Sequence, residues 1–292
     1  MSGAAWPAPA KLNLFLHVTG RRADGYHELQ TLYQLIDLSD ELWIRVRNDG
    51  LLSCVGGLAP EEGEHNLVLR AARRLREHAG DARLGAEIRL QKAIPVGGGL
   101  GGGSSDAATT LVALNALWRL GLPAAVLAAI GLELGADVPL FVQGANALAR
   151  GVGELLEPVV LPAAAFAVIY PGIAVATAEA FQAPELTRNS PVITIPGLLS
   201  QGWSAGLPGR NDLEPVTAAR HPPVRAALAW LGERGAARLT GSGASVFAPF
   251  ADRAAAAAAL AGLPAGWSGF AVVALPRSPL AARLSAEVAG GG

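Results

Sequence analysis

Pro95-Val96-Gly97-Gly98-Gly99-Leu100-Gly101-Gly102-Gly103-Ser104-Ser105-Asp106 is the run on which the reading of this chain turns. Six of the seven positions from Gly97 to Gly103 are glycine. Glycine loses the most backbone freedom on ordering, so such a run is poor helix or strand interior. What it does well is bring backbone N–H groups close to a ligand with no Cβ in the way. The residues after it, SDAATTLVALNALWRL, place Ala107, Leu111, Leu114 and Trp118 at helical spacing, with Ser104 or Ser105 as expected N-cap. A glycine loop feeding a helix N-terminus is an anion cradle, because free N–H groups and the positive end of the helix dipole face the bound group. The expected ligand is a phosphate chain. A flexible linker is the plain alternative, but the apolar strand-like segment Ala86–Val96 and the capped helix hold the run between ordered elements.

Two commoner phosphate loops do not fit. The Walker A spacing lies on Gly98 to Gly103 but puts Ser104 where lysine is required. The dinucleotide pattern fits Gly97, Gly99 and Gly102, yet the acidic residue it needs about 20 positions on is missing from Leu117–Pro123.

With 292 residues the chain is long enough for one large or two ordinary domains, and at 51% hydrophobic and 16% charged it has a substantial core. A net charge of −1 gives no bulk attraction to nucleic acid or a membrane surface. Cys54, the only cysteine, allows no internal disulfide and suits a reducing compartment, the cytoplasm. The opening MSGAAWPAPAK has no basic stretch leading into an apolar core, so no secretory signal is expected. Pro158–Ala178 is uncharged and about as long as a membrane span, but Pro162, Pro171 and Gly172 interrupt it and AAAFAVIYPG reads as a buried strand and turn. Only two of the 23 basic residues are lysine, Lys11 and Lys92, which marks both as candidates for a place needing a compact ammonium.

Residues 8–18 alternate Leu12, Leu14, Leu16 and Val18 against Asn13, Phe15 and His17, the period of a strand, with Lys11 and Asn13 sharing the less apolar face. Asp24-Gly25 marks a turn; Tyr26–Tyr33 and Glu41–Val46 read as two further strands. Asn66 caps an expected amphipathic helix to His78, Glu87–Val96 is a strand, and a helix runs from Leu122-Pro123 to Leu134. Asp137 stands in Gly135-Ala-Asp-Val-Pro139 among Val138, Leu140, Phe141 and Val142, where burial is expected and a carboxylate needs a partner such as lysine. Gly144–Leu156 is read as returning to the surface. A smaller α+β domain is expected after a boundary near residue 155, with strand Ala165–Tyr170, helix Thr177–Phe181, loops over 182–215, helix Pro223–Arg234, a second glycine turn in Thr240–Ser245, helix Asp252–Ala261 and strand Gly269–Ala274. His17, His65, His78 and His221 are read as structural.

Three segments, Ala10-Lys-Leu-Asn13, Pro95–Ser105 and Thr240-Gly-Ser-Gly-Ala-Ser245, resemble the signature regions of the GHMP small-molecule kinases. PAKLNLFLHVTGRRADGYHELQTL, the doubled glycine triplet, GADVPLF and ARGVGELL resemble the branch acting on a diphosphocytidyl polyol. The likeness is weakest over 182–205 and after 275. It implies a two-domain α/β (α+β) kinase. A ribosomal-S5-like ATP-binding domain, 1–155, would precede a ferredoxin-like domain, 156–292. It also implies a monomer or weak homodimer that uses ATP with Mg²⁺ to phosphorylate the 2-hydroxyl of 4-diphosphocytidyl-methylerythritol. Asp137 would be the general base with Lys11 beside it. Pro95 to Ser105 would hold the ATP phosphates, and Asn66 and Lys92 the adenine side. Asn13, Tyr26, His27, Thr177 and Phe181 would meet the other substrate, with cytosine between Tyr26 and Phe181. Gly241 to Gly243 would close over the phosphate path. Asp106 departs from the asparagine that also occurs in the family and puts a negative charge behind the anion site. The alternatives are a GHMP kinase for a sugar, mevalonate or homoserine, which needs no aromatic sandwich, and a silent nucleotide-binding regulator, which needs neither Lys11 nor Asp137.

Overall fold

The structure is a computed structural model and describes residues 4–57, 66–194 and 207–290; His65 and residues 195–206 of the stretch expected to be loop lie outside them. A long antiparallel hairpin begins the chain. Strand β1 (Trp6–Arg21) pairs along its length with β2 (His27–Arg47), joined by the expected Asp24-Gly25 turn. The segments 26–33 and 41–46 are therefore parts of one strand, because Tyr33–Ile36 continues the pairing with β1 between them. β2 then branches: residues 41–47 pair with β4 (Gly85–Gln91) and residues 29–33 with β5 (Ala147–Gly151). β3 (Leu52–Gly56) and β6 (Leu155–Pro158) complete the first sheet as its edges. Gly144–Leu156 thus supplies sheet rather than surface loop. Its Ala147, Leu148 and Ala149 are fully buried, and so small a run needed the sheet context to be recognised.

Helix α1 (Leu67–Ala79) has the expected cap, with Asn66 Oδ1 accepting from the Val68 N–H at 2.9 Å. Helix α2 (Gly102–Leu117) starts earlier than expected. Its N-cap is Gly101, in the left-handed region at φ 75°, and both serines sit inside the first turn. The glycine run itself nucleates the helix, so no side chain occupies the N-terminal N–H groups. Every residue from Ser105 to Leu114 is buried; small side chains let α2 run through the core with no polar face. Helices α3 (Ala124–Leu132) and α4 (Val138–Gln143) pack beside it.

The second sheet contains β7 (Ala165–Tyr170), β8 (Arg238–Leu239), β9 (Val246–Phe250) and β10 (Ser268–Val273). Their order is β10-β7-β9-β8, all antiparallel. With α5 (Thr177–Gln182), α6 (Glu214–Arg220), α7 (Pro222–Gly232) and α8 (Arg253–Ala259) in the connections, this is the split βαβ arrangement of a ferredoxin-like unit. Helix α6 begins within the stretch expected to be loop as far as residue 215. A last helix, α9 (Pro279–Gly290), returns to the first layer, where Leu280 joins the core of Trp6 and Leu35. The apolar stretch 158–178 contains β7, and among the described residues no helix is long and apolar enough to cross a membrane.

β1 is buried on both faces rather than one, with Leu12, Leu14 and Phe15 all at 0% exposure. It is sandwiched: Ala10, Leu12, Leu14 and Phe15 share one apolar cluster with Phe166, Val168 and Phe247 of the second sheet. The two glycine turns interlock across this seam. Ala244 N–H donates to Gly97 O at 3.2 Å and Ser245 N–H to Gly98 O at 3.0 Å. Gly99 has φ +74°, and a Cβ there would lie 2.3 Å from Thr240 O. Gly99→Ala is therefore expected to destabilise the fold by roughly 2–4 kcal/mol, combining backbone strain with a clash against main chain. Urea unfolding checks this; an unchanged midpoint would mean that the turns do not interlock in solution.

Candidate active site

Three adjoining cavities form the cleft. One, of about 490 Å³, is lined by Asn66, Lys92, Pro95–Gly98, Leu100–Ser104, Asp106 and Thr177. The next, of about 320 Å³, is lined by Lys11, Asn13, Tyr33, Gly99, Asp137, Phe181 and the turn residues Gly241 and Ser242. The third, of about 610 Å³, contains Tyr26, His27, Phe181, Gln182 and Arg188. Thr177 borders all three, and Gly101 and Ser104 border the first two. Every site residue expected from the sequence except Ser105 and Gly243 lines this cleft.

The middle cavity gathers Lys11, Asn13, Tyr33 and Asp137. Lys11 comes from β1 and is 3% exposed. Its ammonium donates to Asn13 Oδ1 at 2.5 Å and Gly99 O at 3.0 Å, and lies 3.4 Å from Asp137 Oδ2. Asp137 precedes α4 and keeps its side chain 28% exposed, more than its apolar neighbours led us to expect, because it opens onto the cavity. Tyr33 Oη donates to its other oxygen, Oδ1, at 2.8 Å. Burial first, then the Asp137 charge and that hydrogen bond, hold the Tyr33 hydroxyl well above the usual phenol pKa, so it stays a donor. Asn13 is consumed internally: its amide also donates to Thr31 Oγ1 at 2.8 Å, and its N–H to Thr240 Oγ1 at 3.0 Å.

At the glycine-loop end, Asn66 spends its carbonyl on capping α1. Ser104 faces both of the first two cavities, whereas Ser105 is fully buried with its hydroxyl unpartnered. Lys92 lies between two carboxylates, bonded to Asp40 and, at 2.7 Å, to Asp106. Burial opposes the Lys92 charge, but Asp106 and Asp40 outweigh it and its pKa rises. Asp40, fully buried, also accepts from the Ala93 and Ile94 N–H groups at 2.6 and 2.8 Å, fixing the approach to the loop.

At the far end, Thr177 Oγ1 lies 3.0 Å from Ser242 Oγ. Tyr26 is 66% exposed, and Phe181 is stacked on His27 at 5.3 Å and 29°. The expected sandwich partners line one cavity, but the residue packed on Phe181 is the histidine. His17 is structural as expected, with Nδ1 2.9 Å from Pro191 O. Sequence reading missed Tyr33, Asp40 and Arg188. Tyr33 was findable: it lies six residues from His27 on one strand, hence on the same face.

Comparison with known proteins gives one answer. The model for the GHMP kinases N terminal domain matches residues 66–145, and that for the GHMP kinases C terminal matches 198–269. The chain is 52% identical over 280 residues to 4-diphosphocytidyl-2-C-methyl-D-erythritol kinase of Halorhodospira halophila, covering 95% of both chains. It is 54% identical over 277 residues to the enzyme of that name from Cupriavidus necator, covering 94% of both. A crystal structure of 4-(cytidine 5'-diphospho)-2C-methyl-D-erythritol kinase superimposes with TM-score 0.81 at 36% identity, covering 93% of this chain and 99% of that one. Homoserine kinase from Cytophaga hutchinsonii, at 21% identity and TM-score 0.67 over 95% of this chain and 96% of its own, shares the fold.

The Asp106 carboxyl gives this site a pH signature. Burial, with Asp40 adding to it and Lys92 opposing, pushes its pKa up to about 7. A free carboxyl loses its proton near pH ~4. Between those values the unfolded chain binds fewer protons than the folded one, so this group's contribution to stability falls as pH rises. Asp106→Asn keeps an acceptor for Lys92 and removes the ionisation. It is expected to gain stability over the parent on going from about pH 5 to pH 8. Parallel pH profiles of the two unfolding free energies would clear Asp106 of this role.

Proposed function

The chain belongs to the 4-diphosphocytidyl-2-C-methyl-D-erythritol kinases of the GHMP family, and from that premise we propose how its residues divide the work. It phosphorylates the 2-hydroxyl of its substrate with ATP, the kinase step of non-mevalonate isoprenoid synthesis. ATP lies in the first cavity, its phosphates on the N–H groups of the glycine loop and the α2 N-terminus, its adenosine toward Asn66 and Lys92. The cytidine diphosphate lies in the third cavity, with Tyr26, His27 and Phe181 around the base. The reacting hydroxyl and the γ-phosphate then meet in the middle cavity.

The observation that carries this reading is the Asp137 carboxylate, held between Tyr33 Oη at 2.8 Å and Lys11 Nζ at 3.4 Å where the cavities join. Asp137 takes the proton of the 2-hydroxyl as its oxygen bonds to the γ-phosphorus and the bond to ADP breaks. Lys11 pairs with that carboxylate and offsets charge on the transferring group. Tyr33 fixes one carboxylate oxygen, leaving the other toward Lys11 and substrate.

Mg²⁺ neutralises phosphate charge when it arrives with ATP, keeping several waters. Among the described residues no cluster of three His, Cys, Asp or Glu side chains is arranged to hold a metal. The Ser104 hydroxyl, which lines the first cavity, would be the donor at hand; Asp106 Oδ1 has no partner among the described residues but is buried behind the loop. We place the domain division near residue 155, where the first sheet gives way to the second, with α9 crossing back. The lone, unpaired Cys54 supports a cytoplasmic setting.

ADP release with 4-diphosphocytidyl-methylerythritol tests the assignment. Asp137→Asn should lower kcat by about 10²–10⁴-fold with ATP binding retained. Tyr33→Phe removes one hydrogen bond to a charged group and should cost about ten- to a hundredfold. Wild-type rates in Asp137→Asn would move the base elsewhere. A folded, ATP-binding wild type that released no ADP would overturn the substrate.

A further inference from the structure

Arg188 lies outside every motif discussed so far, in the irregular stretch after α5, and it ties the two walls of the third cavity together. Its Nε–H donates to His27 Nε2 at 3.0 Å. Its Nη2 donates to the Phe181 and Ala183 carbonyls at 3.2 and 2.7 Å, and its Nη1 to Leu186 O at 3.0 Å. One guanidinium therefore holds the histidine that begins β2 and the chain that carries Phe181, and these two rings stack. The planar fork suits a task that needs several fixed donors at once.

The bond to His27 has a chemical consequence. A guanidinium only donates, so Nε2 of His27 must present its lone pair. In the neutral ring the proton is then on Nδ1. Burial first, then the Arg188 and Arg21 charges, lower the His27 pKa and keep the ring neutral. Among the described residues no group accepts from Nδ1–H, and His27 lines the cavity. His27 thus brings to this wall one N–H donor of fixed sense.

On the cytidine-diphosphate substrate read above, the geometry points to Arg188 as a specificity-determining positioning residue: it locks His27 as an Nδ1–H donor, which selects cytosine over uracil. Cytosine offers acceptors at N3 and O2 along its pairing edge. O2 is an acceptor in uracil as well, so the discrimination lies at N3: placed there the His27 donor meets a lone pair in cytosine and a second N–H in uracil. A buried donor facing a donor leaves both unsatisfied, and sites built this way reject the wrong partner strongly. Nothing at Arg188 touches the phosphates or Asp137, so ATP handling is independent of it.

The test compares Arg188→Ala and Arg188→Lys with the wild type, using the cytidine substrate and its uridine analogue. Nitrogen NMR of His27 reports the tautomer directly. The wild type should show the Nδ1-protonated pattern and prefer cytidine in kcat/KM. Arg188→Ala should release the tautomer and lower that preference by about tenfold or more, with the KM for ATP unchanged. Arg188→Lys keeps a charged donor but not the fork, and should retain more of the preference than alanine does. A wild-type His27 protonated on Nε2 overturns the inference without any variant. So does a folded Arg188→Ala with unaltered preference. Failure of the wild type to turn over the cytidine substrate at all would instead sink the function it rests on.

Discussion

An ammonium buried at 3% exposure must be fully partnered, and the way Lys11 meets that demand sets the rest of the site. Its partners come from three distant segments: Asn13 on its own strand, the Gly99 carbonyl in the glycine loop, and Asp137 before α4. The Lys11 N–H donates to Leu100 O at 3.0 Å, so main chain and side chain clasp the same loop. The turn at Thr240 closes the arrangement, its hydroxyl accepting from Asn13 and its carbonyl filling the space a Gly99 Cβ would take. The three segments that look like separate motifs in the sequence are therefore one packing unit. The glycine loop, Asp137 and Lys11 sit at fixed distances because none of them moves without the others.

The two lysines solve different electrostatic problems. Lys11 faces one carboxylate, at 3.4 Å, so that pair carries no net charge. Lys92 faces two carboxylates, so with both ionised the nucleotide end would carry one net negative charge beside a polyanion. The raised pKa of Asp106 relieves that conflict by keeping part of its population neutral. Asp40 also accepts from two backbone N–H groups, which tie it to the approach to the loop as well as to Lys92. Rigid support for the loop and tolerance of phosphate are reconciled in this way.

The glycine loop, the Asn66 cap, the turn at Asp24-Gly25 and the pairing of Asp137 with a lysine were legible because each rests on local chemistry: backbone freedom, a free N–H, an isolated charge. What escaped was set by tertiary context. The 21-residue β2 reads as two strands because its middle pairs with neither β4 nor β5, though it continues the ladder with β1. The alternation in β1 misled because register shifts and a second sheet bury both faces. The α2 cap was misplaced because serine is the usual cap, whereas here glycine at φ 75° starts the helix and leaves its N–H groups bare. Arg188 carried no signal, since an arginine in a polar loop is ordinary until its five partners are known. The stack of His27 on Phe181 needed the fold to bring residues 154 positions apart together.

The seam between the sheets bears on how the cleft works. Leu12, Leu14 and Phe15 of β1 share a closed apolar cluster with Phe166, Val168 and Phe247. Opening the cleft by swinging one sheet from the other would expose these side chains, each worth about 1.5–3 kcal/mol of burial. That cost is far above what a reversible rigid-body motion in each turnover tolerates. The cavities must therefore be largely preformed, with access governed by what lies outside the shared core: the Arg22–Tyr26 turn, the stretch after α5, and their junction at Arg188 and His27. On the division of roles proposed above, base recognition falls on these outer segments and proton transfer on the interlocked core, which separates selection of the substrate from alignment of the reaction. The phosphoryl acceptor is then positioned by a scaffold whose geometry does not depend on which base has been admitted.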